Sequence, residues 1–441
     1  MKNGFFIFMF LICALLVGIF YLNTIAGMLI FLVILLMIVG YLINRKKFGS
    51  LFSPISITYL AFLLSFVIKG LYILTSNKYP EQSLILPYIY IIIFIGAMII
   101  GFSLTSKRVL ISQYNELAER NILEISSLKK RIILIVGIAT ALFLYKFGVS
   151  NIGMLFTNVL GNRFLFQNNG NLYFQTLILT FIQASLYIYI LAIYRIEGKM
   201  KISPFLVFLF IINIFIPLTL GGRGMIFTPI VMVFFIVSSK SNKLNFFALA
   251  ALAFGILIFS GWYGMFRDGI TTESAKMGDF IVNVLDRYVQ LDNLTRLVNN
   301  PVKFPFGKSV VDFLYSPIPR SLLPNKPYTF NSQMTQVYLP LQFQNKIVSD
   351  FTAIGELLIN FGISGVFIGG VIFGKILDIF NGYFLKDTSS FFYFWYPFMM
   401  LKPMSIIYGG MINSTANMMI ILELIIILLI WRFFSRGREK L

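Results

Sequence analysis

Apolar runs of roughly twenty residues follow one another from Phe5 almost to the C-terminus, and that recurrence leaves this chain few choices of fold. A bilayer's hydrocarbon core, about 30 Å thick, takes roughly 20 residues of helix at about 1.5 Å each. No water is available there, so each segment must satisfy its own backbone, and helices do so. The runs near 4–22, 25–43, 55–75, 84–104, 132–150, 172–194, 202–220, 224–238, 245–265, 353–374, 391–410 and 413–431 predict about twelve transmembrane helices, the eighth being short. Hydrophobic residues make up 58% of the 441 and charged ones 12%. A soluble domain carries about a quarter charged residues, so residues 1–441 read as one integral, all-α polytopic membrane domain. The first run reads as a span and not a cleavable signal, because it continues into the second after only Asn23 and Thr24.

Lysine and arginine outnumber aspartate and glutamate by 36 to 17, a formal net charge of +19. In a soluble protein that excess would point to nucleic acid; in a membrane protein its distribution sets orientation, because cationic loops stay in the cytoplasm. With the N-terminus inside, 21 cations fall on cytoplasmic segments, among them Arg45, Lys46, Lys47, Lys375 and Lys386, while the short outer loops hold only Lys78, Arg163 and Arg223. Both termini are therefore expected inside. Residues 266–352 then form one long extracytoplasmic loop with nine cations and seven acids, rich in aromatics and proline, which reads as a folded cap over an active site. The longest cytoplasmic loop, 105–131, has Leu117, Ile122, Ile125 and Leu128 among charges and reads as an interfacial helix.

Several chemistries are excluded. Histidine is absent, which removes histidine general bases, histidine–zinc sites and Ser-His-Asp nucleophiles. Cys13 is the single cysteine and forms no intramolecular disulfide. No P-loop or dinucleotide fingerprint is present, so no nucleotide cofactor is expected, and with no D-x-D pair no tightly held catalytic metal is expected either. The two halves share no repeated pattern, which disfavours a repeat-built transporter.

A few residues stand out as carriers of chemistry. GGRG at 221–224 interrupts two apolar runs: it is either a hairpin turn with Arg223 reaching headgroups, or exposed N–H groups and a guanidinium suited to a lipid-linked phosphate. SPIPRSLLPNKP at 316–327 frames Arg320 and Lys326 with four prolines, a stiff segment that is either a solvated loop or a holder of an anion. In DRYVQLDNLTR, 286–296, the acid and base pairs at helical spacing read as local salt bridges, and Arg287 stays among the substrate-binding candidates. Glu356 lies one turn inside the otherwise apolar tenth span, where a carboxylate is either functional or an internal ion pair. Asp350, six residues earlier, is the alternative base. Lys402 in the eleventh span either snorkels or binds ligand, and Pro403 after it would kink that helix. Lys69 and Lys146 read as interfacial anchors, and Arg163, alone in a short outer loop, as a ligand candidate.

GGRG, IPRSLLPNKP and GELLINFGISGVFIGG, in that order over about 220–375, resemble the bacterial O-antigen polymerases of the Wzy type. The resemblance implies a GT-C-like membrane glycosyltransferase of the bacterial cytoplasmic (inner) membrane, acting in lipopolysaccharide or capsular polysaccharide biosynthesis. It implies transfer of a growing glycan from undecaprenyl pyrophosphate to a new lipid-linked repeat unit on the outer face, with membrane lipids and a chain-length regulator as further partners. By motif position it picks out Arg223, Arg320 and Lys326 as the motif cations, with Arg223 and Arg320 expected on the donor pyrophosphate and Lys326 assisting, and Glu356 as the acid. Negative charge develops on the departing pyrophosphate, so cations placed there would stabilise the transition state, with Arg163 assisting. Without histidine the base would be Glu356 or Asp350. A flippase for the same lipid would want charges across the middle of the bundle. An O-antigen ligase shares the topology, but the resemblance leads one to expect a histidine in its large loop, and none is present.

Overall fold

The computed structural model describes residues 21–48, 53–104, 125–148, 171–197, 202–219, 277–316, 322–386 and 401–435, with Ile318, Phe398 and isolated positions within 10–18, 228–233 and 255–264. Among them every regular element is helical. Among the described residues six helices are long and apolar enough to cross a membrane, and Pro204–Thr219 is apolar but shorter. The chain divides into two compact units, 1–111 with 285–386 and 399–418, and 112–284 with 387–398 and 419–441.

The first unit is organised by α1 (Ile25–Phe48), α2 (Pro54–Thr75) and α3 (Gln82–Ser103). Their ends are tied by polar side chains. The Glu81 carboxylate accepts the Ala26 N–H at 3.0 Å, satisfying a donor at the start of α1. At the other end Lys47 donates to the Phe102 carbonyl at 2.8 Å and pairs with Asp378, both side chains being nearly buried. Within α2, residues Leu63–Ile68 widen into a π-turn, and the buried Tyr88 hydroxyl donates to the Phe66 carbonyl at 2.7 Å. Gly70 makes room for that hydroxyl, since a Cβ there would sit 1.8 Å from it.

The chain continues through α4 (Ile125–Phe147), α5 (Asn171–Glu197), whose Tyr173–Ile190 is one of the six, and α6 (Pro204–Thr219). All three belong to the second unit. There Ala139, Phe143 and Phe147 pack on Ile178 and Ile182, and Asn213 of α6 donates to the Ile182 carbonyl at 3.0 Å. The stretch 105–131, expected to be interfacial, is described only from Ile125 onward, where it already forms the first turns of α4. Gly148, at φ +86°, follows the end of that helix.

The segment 266–352 is built, where described, of short helices: α7 (Met277–Arg287), α8 (Gln290–Asn299), α9 (Lys308–Tyr315), α10 (Phe330–Tyr338) and α11 (Pro340–Gln344). The chain then enters α12 (Ala353–Lys386), α13 (Lys402–Gly409) and α14 (Thr415–Ser435). α12 is longer than the expected 353–374 and is broken at Gly362, whose φ of +67° and ψ of −159° are non-helical. It packs tightly on α3 through glycine: a Cβ on Gly374 would lie 2.0 Å from the Met98 carbonyl oxygen, and one on Gly101 would lie 2.0 Å from that of Val371. Such close backbone approach is how membrane helices associate where apolar burial gives no net drive. Pro403 does not kink a span; it stands in the first turn of α13, where its missing N–H has no partner to lose.

Candidate functional site

The link from α11 to α12 is held by amides. Asn293 of α8 donates to the Ser349 hydroxyl at 2.7 Å and to the Asp350 carbonyl at 2.8 Å. Asn331 of α10 accepts the Phe351 N–H at 3.0 Å and donates to the Gly409 carbonyl at 2.9 Å. Thr352 then starts α12: its hydroxyl accepts the Gly355 N–H at 3.0 Å. The backbone at Thr352 lies at φ +67°, a conformation costly for a β-branched residue. That strain persists because Thr352 N–H is also fixed to the Tyr408 carbonyl at 3.1 Å.

These anchors present the half-buried Asp350 side chain. Gln290 and Asn331 reach its two oxygens only at 3.5 and 3.3 Å, and among the described residues no cation pairs with it. Burial raises its pKa to about 6, against the lowering effect of the Gln290 hydrogen bond. A carboxylate so placed is ionised at neutral pH yet basic enough to take a proton.

Glu356 is used differently. It is fully buried in the first turn of α12, and its oxygens accept the Ile412 and Asn413 N–H groups, each at 2.7 Å. Gly410, at φ +110°, lets the α13–α14 turn wrap that carboxylate: a Cβ there would be 2.9 Å from Glu356 Oε2. Asn413 in turn accepts from Phe330 N–H at 3.1 Å, so Glu356 ties α12, the turn and α10 together.

The cations divide in the same way. Lys69, expected as an interfacial anchor, is instead fully buried, 3.2 Å from Asp292 and 3.7 Å from Asp286, and it donates to the Leu285 carbonyl at 2.8 Å. Lys78 completes the group at 3.0 Å from Asp292. Asp286 and Asp292, expected in local salt bridges within 286–296, pair with Lys69 of α2 and Lys78 of the turn after it, and the helix is interrupted at Tyr288 and Val289. Lys326 donates to the Ser316 and Ile318 carbonyls at 3.0 and 2.7 Å and so staples the proline-rich segment. Arg287 ends α7 and Lys402 begins α13. Arg163, Arg223 and Arg320 lie outside the described residues.

A family model described as O-antigen polysaccharide polymerase Wzy matches residues 4–437, nearly the whole chain. The chain belongs to the Wzy family. Membership gives it a polymerase role in O-antigen synthesis, as a glycosyltransferase-like integral membrane protein. No curated protein and no solved structure matches it.

Within this Wzy-family chain the structure brings Asp350 together with residues that the sequence reading passed over. Gln290, Asn293 and Asn331 are amides scattered over two short helices, and nothing in their spacing marks them. Asp292 was legible only as a local partner for arginine. Of its partners Lys69 and Lys78, Lys69 carried one signal, a lysine several residues before the end of an apolar run.

Proposed function

We propose that this Wzy-family protein joins lipid-linked oligosaccharide repeat units, with Asp350 as the general base. In that reaction an acceptor hydroxyl on the newly arrived unit attacks the anomeric carbon of the growing glycan. The bond from that carbon to the pyrophosphate of the undecaprenyl carrier breaks, the hydroxyl proton passes to Asp350, and undecaprenyl pyrophosphate leaves. The observation that carries the reading is Asp350 itself: half-buried, held in place through its backbone, without a cation partner among the described residues, and poised at about 6. Glu356, whose oxygens are both taken by backbone N–H groups, is assigned to holding the site in shape.

Arg223 and Arg320 are proposed to grip the pyrophosphate, with Arg163, Lys326, Arg287 and Lys402 assisting, because planar guanidinium groups match phosphate oxygens in pairs. The reaction is assigned to the outer face of the cytoplasmic membrane, on twelve spans of GT-C-like arrangement with both termini inside, without a metal, and alongside a chain-length regulator. The cations Arg45, Lys46 and Lys47 in the last turn of α1, where Lys47 meets Phe102 and Asp378, support this orientation, because cationic ends stay in the cytoplasm.

Purified protein in nanodiscs, given lipid-linked repeat units extracted from a strain lacking this gene, tests the reading. Asp350→Asn should abolish chain growth, and in the unsubstituted protein the rate should fall as pH drops through about 6, where the base becomes protonated. Arg223→Ala and Arg320→Ala should leave single units. Normal chain lengths from a well-expressed Asp350→Asn protein would overturn the assignment of the base, and activity lost in EDTA and restored by magnesium would overturn the metal-free step.

A further inference from the structure

The short helix α9 is built inside out. Its buried side chains are Ser309 and Asp312, whereas Val310, Val311 and Leu314 are 46, 55 and 70% exposed. Leu314 lies four residues from Val310 and three from Val311, so the three line one face. Phe306, just before the helix, is 84% exposed and touches Phe361 edge-on at 5.1 Å.

The inward polar groups are matched to one another. Ser309 N–H donates to Asn360 Oδ1 at 2.9 Å, and Asn360 Nδ2 donates to the Ser309 hydroxyl at 3.0 Å. Lys308 pairs with Asp312, and Gln333 of α10 serves both, accepting from Lys308 at 3.1 Å and donating to Asp312 at 2.7 Å. A helix facing water would turn these polar groups outward and bury its valines and leucine. Single exposed apolar residues are ordinary, but a whole apolar face opposite a satisfied polar one is not.

The position of α9 along α12 says what covers that face. α12 is broken at Gly362, and the apolar helix beyond the break, running to Phe380, is about 27 Å long, close to a hydrocarbon core of about 30 Å. With that helix spanning the core, Asn360, two residues before the break, lies at the edge of the hydrocarbon. α9 is fastened at this level, through the Ser309 bonds to Asn360 and through Gly307 N–H to the Asn360 carbonyl at 3.3 Å.

We infer that α9 lies at the membrane's hydrocarbon boundary, with Phe306, Val310, Val311 and Leu314 immersed among lipid acyl chains. The segment 266–352 then includes a membrane-associated element fixed to the helix that carries Glu356, and its lipid contact helps hold Asp350 and the start of α12 at a set depth.

The single native cysteine makes the test direct. In a Cys13→Ser background, nitroxide labels at Val311→Cys, Leu314→Cys and, as a water-facing control, Asn345→Cys are compared in nanodiscs for collision with oxygen and with a polar nickel chelate. The expected result is oxygen access well above nickel access at 311 and 314, and the reverse at 345. Nickel access equal to that at 345 would overturn the inference, as would shielding from both probes, which would mean that protein covers the face. The unsubstituted protein gives a second reading: a diazirine dissolved in the lipid should label the peptide spanning Phe306–Tyr315 as strongly as α3. Labelling confined to a water-soluble diazirine would refute it.

Discussion

Two acids six positions apart separate into two roles for reasons of hydrogen-bond accounting. Glu356 is buried against backbone donors at 2.7 Å, and a carboxylate held in that way stabilises structure. Glu356→Gln keeps one acceptor and should cost about 2 kcal/mol, seen as a lower melting temperature in detergent with residual activity in the surviving protein. Asp350 has the opposite balance. Its folded pKa of about 6 lies above the ordinary 3.8, so the folded state favours the protonated form. Ionising it at neutral pH therefore opposes folding, a penalty absent below about pH 4 and fully developed above about pH 6. Asp350→Asn should raise stability at pH 7.5 by on the order of 2 kcal/mol while abolishing polymerisation, and its advantage should shrink as pH falls from 6 toward 4. A destabilised Asp350→Asn protein would sink this account. Both acids were legible in the sequence. Which of them is occupied was not, because the donors at Ile412 and Asn413 come from a turn far along the chain.

At the scale of elements, glycine and lysine do work that hydropathy does not report. Gly370 and Gly374 on α12 meet the Phe94 and Met98 carbonyls of α3 at distances that no Cβ tolerates. Gly374→Leu should cost about 3 kcal/mol or prevent accumulation of the folded protein, whereas the same change at Gly96, with open space around it, should be tolerated. Thermal stability of the two variants in detergent decides this. Lys69 sits just after the π-turn of α2 and pins α8 through Asp292. Lys69→Met leaves the buried Asp292 with Lys78 as its remaining cation among the described residues, and removing one partner of a buried pair costs roughly 3–5 kcal/mol. Lys69→Met with Asp292→Asn should recover much of that loss. The spans α1, α2 and α3 were readable from their apolar runs. The π-turn and the break at Gly362 were not, because the Phe66 carbonyl is taken up by the Tyr88 hydroxyl and the Asn360 carbonyl by the Gly307 N–H, partners distant in sequence.

At the scale of the whole molecule, the charge count predicts an N-inside topology, and fusions test it. Alkaline phosphatase joined after Asn77 should be active and after Phe48 inactive, and the reverse pattern would overturn an N-inside orientation. The sequence by itself determined the membrane class, the approximate spans in the described regions, the absence of histidine chemistry and the family. Those are properties of local composition or of ordered motifs, and they add up along the chain. Only the tertiary structure decided which charges are paired and which are left to act: Lys69 with Asp292, Lys47 with Asp378, Glu356 with backbone, and Asp350 without a cation among the described residues. In a medium that solvates charge poorly, the free energy of each ionised group is set by the partner folding brings to it, and those partners are distant in sequence.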